Sequence, residues 1–336
     1  MAELEAKNIQ VGVVGLGLMG CSITTCLLIA GHPVVAVAPI NLDLKLAGSR
    51  IREHLDKSLL NGLITRTPEE ILANLTITED YGLLKDCRLV LECTIENIDV
   101  KKSVFDKIEQ VIAEDALLTS NTSAIPISVL QKQTRHPKRF LGLHWAEPAH
   151  TTRFLEIICG DDSDVAQGEY LQKLALLWKK EPILVRKDIR GFITNRLMYA
   201  MYREAINLVE NGYATVEDVD RSCRNNAGYF MTFVGIFRWM DLTGVKAYHT
   251  VMKDLFPTLY NGTEVPKLID DIVKTGGNGV SNANGFYEYT EEEARMWEET
   301  FTKFSYEIRQ VALRYPEDIV KKRLAERQSE AAGAGE

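Results

Sequence analysis

Residues 9–20 read IQVGVVGLGLMG. A β-branched apolar run over 9–15 breaks on Gly15-Leu16-Gly17-Leu18-Met19-Gly20, and a helical pattern opens at once over Met19–Ala30. A second apolar run follows at 34–38. Strand, glycine turn, helix and strand in that order form the first unit of a dinucleotide-binding sheet. Gly15 permits the tight turn, and Gly17 lets backbone approach a pyrophosphate at the positive end of the helix. Gly20 lets that helix lie close on the sheet. A GxGxxG alone is a weak signal; the strands and helix around it give it weight.

Outward from this unit, β-rich runs recur at 75–78, 89–92, 116–119, 139–144, 154–159 and 183–186, with amphipathic segments between them. Val104, Phe105, Ile108, Val111 and Ile112 share one face of a helix over 98–113. Alternating strands and helices predict an α/β fold, a Rossmann-like doubly wound and mostly parallel sheet. After Asp188 the pattern turns helical. Ile193, Leu197, Ala200, Met201, Ala205 and Leu208 keep helical spacing up to the stop at Asn211-Gly212. Thr215 with Asp218 reads as a capping box opening the next helix. The expected division is a dinucleotide-binding domain over 1–189, an all-α C-terminal domain over 190–323 and a mobile tail over 324–336. Tyr229–Met240 (YFMTFVGIFRWM) reads as one helical segment whose aromatic stripe suits a core or a subunit interface.

The 336 residues are 46% hydrophobic, enough for a sizeable core, and too many for one typical core alone. A net charge of -8 argues against non-specific binding to nucleic acid or an anionic membrane surface. No apolar run approaches the roughly 20 residues of a membrane-spanning helix. The polar start MAELEAKNIQ resembles neither a signal nor a transit peptide. The six cysteines form no CxxC pair and read as free thiols in a reducing compartment, so a cytoplasmic location is expected. No His/Asp/Glu/Cys set has ligand spacing, and no metal is expected.

An NAD site usually carries Asp or Glu at the end of the second strand to hold the adenosine ribose. Here Ala38-Pro39 stands there. Either Asn41 or Asp43 reaches the ribose hydroxyls, or the missing acid admits the 2′-phosphate of NADP beside Lys45 or Arg50. NAD is the expected cofactor, with NADP the alternative.

Several further motifs follow in order: LECTIENIDVKKSVF (91–105), SNTS (120–123), GLHWAEP (142–148), FLEII (154–158), GFITNR (191–196) and GFYEYT (285–290). With GLGLMG they make the chain from about residue 9 to 290 resemble the L-3-hydroxyacyl-CoA dehydrogenase family, including its lambda-crystallin (L-gulonate 3-dehydrogenase) branch. The resemblance implies His144 as the catalytic acid/base and Glu156 as the carboxylate that orients it. Ser123 then bonds substrate, Asn195 is an active-site amide, and Glu96 and Lys101 contact the nicotinamide half of the cofactor. Leu18 and Met19 complete the cofactor turn with its three glycines. The family's helical domain commonly builds a dimer, so a homodimer is expected, with substrate between the domains.

This residue set makes chemical sense. As hydride leaves a secondary alcohol for nicotinamide, a base must take the hydroxyl proton, and histidine titrates near neutrality. A carboxylate on the other ring nitrogen fixes the tautomer, and Ser123 and Asn195 supply hydrogen bonds to the reacting oxygen. Taken singly, His144 is a strand-end histidine, Glu156 an alternating surface residue and SNTS a capping turn; their joint agreement gives them weight.

One departure bears on the substrate. The family commonly reads HxxNP, and this chain reads His144-Trp145-Ala146-Glu147-Pro148. Glu147 puts a carboxylate near the base, and Arg153 a guanidinium that pairs with a substrate carboxylate or with a neighbour at the surface. Three functions therefore stand: a 3-hydroxyacyl-CoA dehydrogenase, a dehydrogenase of a small polar hydroxy acid or sugar acid, and a dinucleotide sensor without turnover.

Overall fold

The computed structural model describes residues 4–333. The chain divides into two units, Met1–Arg196 and Leu197–Glu336. The first carries eight strands: β1 Val11–Val14, β2 Val34–Val37, β3 Leu75–Thr78, β4 Leu89–Glu92, β5 Leu117–Ser120, β6 Phe140–Trp145, β7 Phe154–Cys159 and β8 Glu181–Val185. Their order is β3-β2-β1-β4-β5-β6-β7-β8, parallel except for the β6–β7 pair. All eight runs marked in the sequence are strands.

The sheet is buried on both faces, as parallel sheets must be. Alternate residues point to opposite sides, and the core divides accordingly. Val11, Val13, Val34, Ala36, Leu89 and Leu91 pack on one side with α1 (Leu18–Ala30), α2 (Asn41–Leu60) and, further along the chain, a helix over Val165–Leu177. Val14, Val35, Val37 and Val90 pack on the other with Phe105 and Ile108 of the helix Ile98–Glu109. Each fully buried Val, Leu, Ile or Phe stabilises by about 1.5–3 kcal/mol. In chain order the helices after α2 are α3 (Pro68–Leu72), α4 (Ile98–Glu109), α5 (Ile127–Gln131), α6 (Val165–Leu177) and α7 (Thr194–Glu210).

The reversal at β6–β7 has a simple cause. Residues 146–153 are too few for a helical crossover, so the chain must turn back antiparallel. The resulting register sets His144 directly opposite Glu156.

The second unit is helical: α8 (Val216–Asn225), α9 (Ala227–Met231), α10 (Ile236–Thr243), α11 (Val245–Leu255), α12 (Lys267–Lys274), α13 (Glu291–Arg314) and α14 (Ile319–Gly333). Thr215 caps α8 by accepting the Asp218 N–H. The stretch 229–240 is not one helix. It breaks between α9 and α10, where Gly235 takes an extended conformation as the N-cap of α10 (φ -77°, ψ 176°). The tail expected to be mobile from 324 lies in α14 as far as Gly333, and 334–336 fall outside the described residues. No helix among the described residues is long and apolar enough to cross a membrane.

Candidate functional site

At the carboxyl end of β1, Gly15 holds φ +100° and its N–H bonds the Val37 carbonyl. A Cβ on Gly20 would come within 1.8 Å of the Gly15 carbonyl oxygen, so α1 lies against the turn only because residue 20 has no side chain. A Cβ on Gly17 would meet nothing within 4 Å. That open face lies at the N-cap of α1, which no side chain caps. An uncapped helix N-terminus behind an open glycine fits a dinucleotide pyrophosphate. Leu18 is exposed and Met19 half-buried at the start of this helix. Past β2, Ala38 is buried, and Asp43 in the first turn of α2 pairs with Arg50 at 3.0 Å. Arg50 also donates to the Leu16 carbonyl at 3.2 Å, beneath the glycine turn.

His144 Nδ1 lies 2.9 Å from Glu156 Oε2. Its ring packs between Phe154 and Phe192, with centroids 5.7 and 5.5 Å away. Glu156 is fully buried rather than facing solvent. Its Oε1 accepts the N–H groups of Ile193 and Thr194, both at 3.0 Å, where α7 begins. Gly191 (φ +78°) and Phe192 (φ +52°) are both left-handed, and they turn the chain so that these amides face the carboxylate. Burial pushes the Glu156 carboxyl up, but His144 and the two amides outweigh it and hold it below its ordinary value. An ionised partner on Nδ1 keeps the proton there and leaves the Nε2 lone pair as the basic one.

A second network lies at the ends of β4 and β5. Glu92, fully buried, accepts from Ser120 Oγ at 2.6 Å, from the Thr94 N–H at 2.6 Å and from Lys101 Nζ at 3.0 and 2.9 Å. Lys101 is buried as well; its ammonium is committed to Glu92, the Thr94 carbonyl and, at 3.5 Å, Glu96. Glu96 Oε1 takes the Thr122 hydroxyl (2.5 Å) and the N–H groups of Ser123, Ala124 and Ile125 (3.1, 2.9 and 3.3 Å). Burial opposes the Glu96 charge, yet Thr122, the amides and Lys101 hold its carboxyl below the ordinary value. Asn195 Nδ2 donates to the Ser123 carbonyl at 3.0 Å. Ser123 and Asn195, 72 residues apart, are therefore brought together.

The loop after His144 is tied to the first helix. Ser22 Oγ accepts the Ala149 N–H at 2.7 Å and lies 3.1 Å from His150 Nδ1. Glu147 is exposed as a residue, but the protein crowding its carboxyl raises it to about 7, against a lowering contact from Ser22. Lys180 bonds the Ala149 and Thr152 carbonyls and lies over the Trp145 ring. Arg153 pairs with Glu181, so of its two sequence readings the structure contains the ion pair.

Glu92, Ser22 and Lys180 escaped the sequence reading. Glu92 left a trace: an acid closing the apolar run LVLE must find a cation if buried, and Lys101 follows nine residues on. Ser22 and Lys180 act on loop backbone and leave no pattern.

The glycine turn and doubly wound sheet define a dinucleotide-binding protein. Residues 10–189 match the model of the 3-hydroxyacyl-CoA dehydrogenase NAD binding domain, and 191–289 that of the 3-hydroxyacyl-CoA dehydrogenase C-terminal domain. The chain belongs to the 3-hydroxyacyl-CoA dehydrogenase family. It is similar to 5-formyl-3-hydroxy-2-methylpyridine 4-carboxylate 5-dehydrogenase of Mesorhizobium japonicum, 30% identical over 291 residues, 85% of this chain and 92% of that one. It is also similar to 3-hydroxybutyryl-CoA dehydrogenase of Mycobacterium tuberculosis, 32% identical over 285 residues, 83% of this chain and 98% of that one. Among solved structures, an NAD+-dependent dismutase of the pyridine-dehydrogenase type matches with a TM-score of 0.84, 27% identity and coverage of 90% of this chain and 98% of that one. Mycobacterium tuberculosis FadB2 matches with a TM-score of 0.70, 31% identity and coverage of 83% and 98%. The protein is an NAD-dependent oxidoreductase acting on a CH–OH group.

Proposed function

We propose that the protein interconverts the 3-hydroxy and 3-oxo forms of a 3-hydroxyacyl-CoA, with His144 moving the hydroxyl proton. The 2.9 Å contact between His144 and the buried Glu156 carries this reading. Bound NAD supplies the hydride acceptor. Glu156 keeps the Nδ1 proton in place and stabilises the imidazolium that forms when Nε2 takes the substrate proton. Asn195, in the first turn of α7, bonds the Ser123 carbonyl, and the two residues together orient the reacting oxygen. The pairing of Arg50 with Asp43 favours NAD over NADP, because the guanidinium that would meet a 2′-phosphate already has its counter-charge.

A second reading, a small polar substrate without CoA, draws on two observations. Glu147 replaces the amide of the family pattern, and a relative named for a pyridine carboxylate matches over most of both chains. In either reading the protein works as a homodimer through its helical unit, where Phe237, Trp297 and Phe301 stand exposed. Free cysteines suit a reducing, cytoplasmic setting.

The test is loss of reduced-nicotinamide absorbance with acetoacetyl-CoA, run in parallel with NADH and NADPH. Fast oxidation of NADH alone is the expected result. NADH binding without acetoacetyl-CoA reduction would move the assignment to the polar substrate, and binding without turnover on any hydroxy or oxo acid would favour a sensor.

A further inference from the structure

The turn that carries Ser123 is held by an internal anion. Three consecutive amides, those of Ser123, Ala124 and Ile125, converge on one oxygen of Glu96, together with the Thr122 hydroxyl. Successive N–H groups pointing inward make an anion-binding nest, and here a side chain from the β4–α4 loop fills it. The Thr122 hydroxyl also accepts the Ile125 N–H at 3.1 Å, closing the turn on itself. Behind Glu96 stands Lys101, whose ammonium contacts the other Glu96 oxygen while anchored on Glu92 at the end of β4. Asn97 starts α4 by accepting the Asp99 and Val100 amides, which fixes the helix turn from which Lys101 reaches back.

We infer that Glu96 is a positioning residue for Ser123, and that Lys101 acts through it by holding its carboxylate in the nest. This rests on the reading of Ser123 as a substrate-binding residue, and it gives Glu96 and Lys101 a task apart from touching the cofactor. Charge matters as well as shape. A carboxylate accepts four donors at one oxygen because it is ionised, and charge-assisted bonds of this kind are about twice as strong as neutral ones. Glu96→Gln keeps the size and loses the charge. Lys101→Met keeps the buried stem and loses the ammonium.

The first readout needs no substrate: hydrogen exchange of the amides of 123–125 in the full-length protein. Both variants should speed exchange in this turn by about tenfold or more; in Glu96→Gln the amides of β1 and β4 keep their protection, whereas Lys101→Met, which also strips the buried Glu92 of its cation, loosens the end of β4 as well. Lys101→Arg, which restores a cation, should recover part of the protection if the variant folds. The second readout is a double-mutant cycle on kcat with the substrate that the protein turns over. Ser123→Ala and Glu96→Gln should each lower kcat, and the double variant should be no worse than about threefold below the poorer single one, because both act through one hydroxyl. NADH affinity, read by fluorescence titration, should shift less than kcat. Unchanged exchange at 123–125 in Glu96→Gln would overturn the inference, and unchanged exchange in Lys101→Met alone would remove Lys101 from it. If Ser123→Ala is costly and its loss multiplies fully with that of Glu96→Gln, the coupling to Ser123 falls while the proposed function stands. If Ser123→Ala alone leaves kcat unchanged, the reading of Ser123 falls and the inference with it.

Discussion

The two units use their apolar residues in opposite ways. In Met1–Arg196 the sheet buries both faces, and β1, β2, β4, β5 and β6 are buried along their whole length. In Leu197–Glu336 the buried apolar residues among those described are Ala294 and Tyr306, while Phe237 is 82% exposed and Trp297 and Phe301 each 58%. An α/β unit closes its core within one chain. A set of amphipathic helices with its apolar side chains exposed offers the surface that the proposed homodimer would cover. The hydrogen-bonded groups of the candidate site lie at the ends of buried strands and at the start of α7, within the first unit.

Four variants test or sharpen that contrast. The largest effect is expected for Glu156→Gln, which removes the ionised partner of His144 and leaves only a neutral amide oxygen to accept the N–H groups at the start of α7. It should lower kcat by about 10²–10³-fold with little change in NADH affinity, measured by steady-state kinetics and fluorescence titration. Gly20→Val drives a side chain into the Gly15 carbonyl and should weaken NADH binding by about 10²-fold and lower the Tm. Unimpaired binding would contradict the close packing of α1 on the turn. Phe237→Glu, in the helical unit, should raise the dimer dissociation constant by about tenfold or more in sedimentation velocity, with the sheet unit still folded. A monomeric unaltered protein would sink the interface reading.

The smallest effect concerns Glu147. Its carboxyl is raised from the ordinary 4.5 to about 7, so folding disfavours its charge. Stability is lost as pH rises from about 4.5 through about 7, because the unfolded chain ionises first. Glu147→Gln should therefore leave Tm unchanged at pH ~4 and raise it by about a degree at pH ~8, measured by calorimetry. A gain under the acidic condition and none under the basic one would reverse the sign of the argument.

Legibility follows the same division. The eight strands and the glycine turn could be read because β-rich apolar runs and a strand–turn–helix order are local patterns. The break at Gly235 could not, because Tyr229–Met240 is mostly apolar on both sides of it, and a lone glycine inside a helical pattern does not by itself mark a boundary. His144 and Glu156 entered through family resemblance, although the short 146–153 loop already required an antiparallel return. Sequence did not foretell the commitment of Lys101 to Glu92: its spacing from Val104, Phe105 and Ile108 puts it on the buried face of α4, but that spacing does not name its partner. Nor did it foretell Lys180, whose partners are backbone carbonyls and have no residue identity.

The central claim is that His144 moves the proton while the rest of the site binds and orients. Its most direct measurement is turnover by His144→Ala beside fluorescence titration of the same variant with NADH. A loss of about 10²–10⁴-fold in kcat is expected, with NADH affinity kept within about threefold. Turnover within a few-fold of the unaltered protein, at equal NADH affinity, would contradict it.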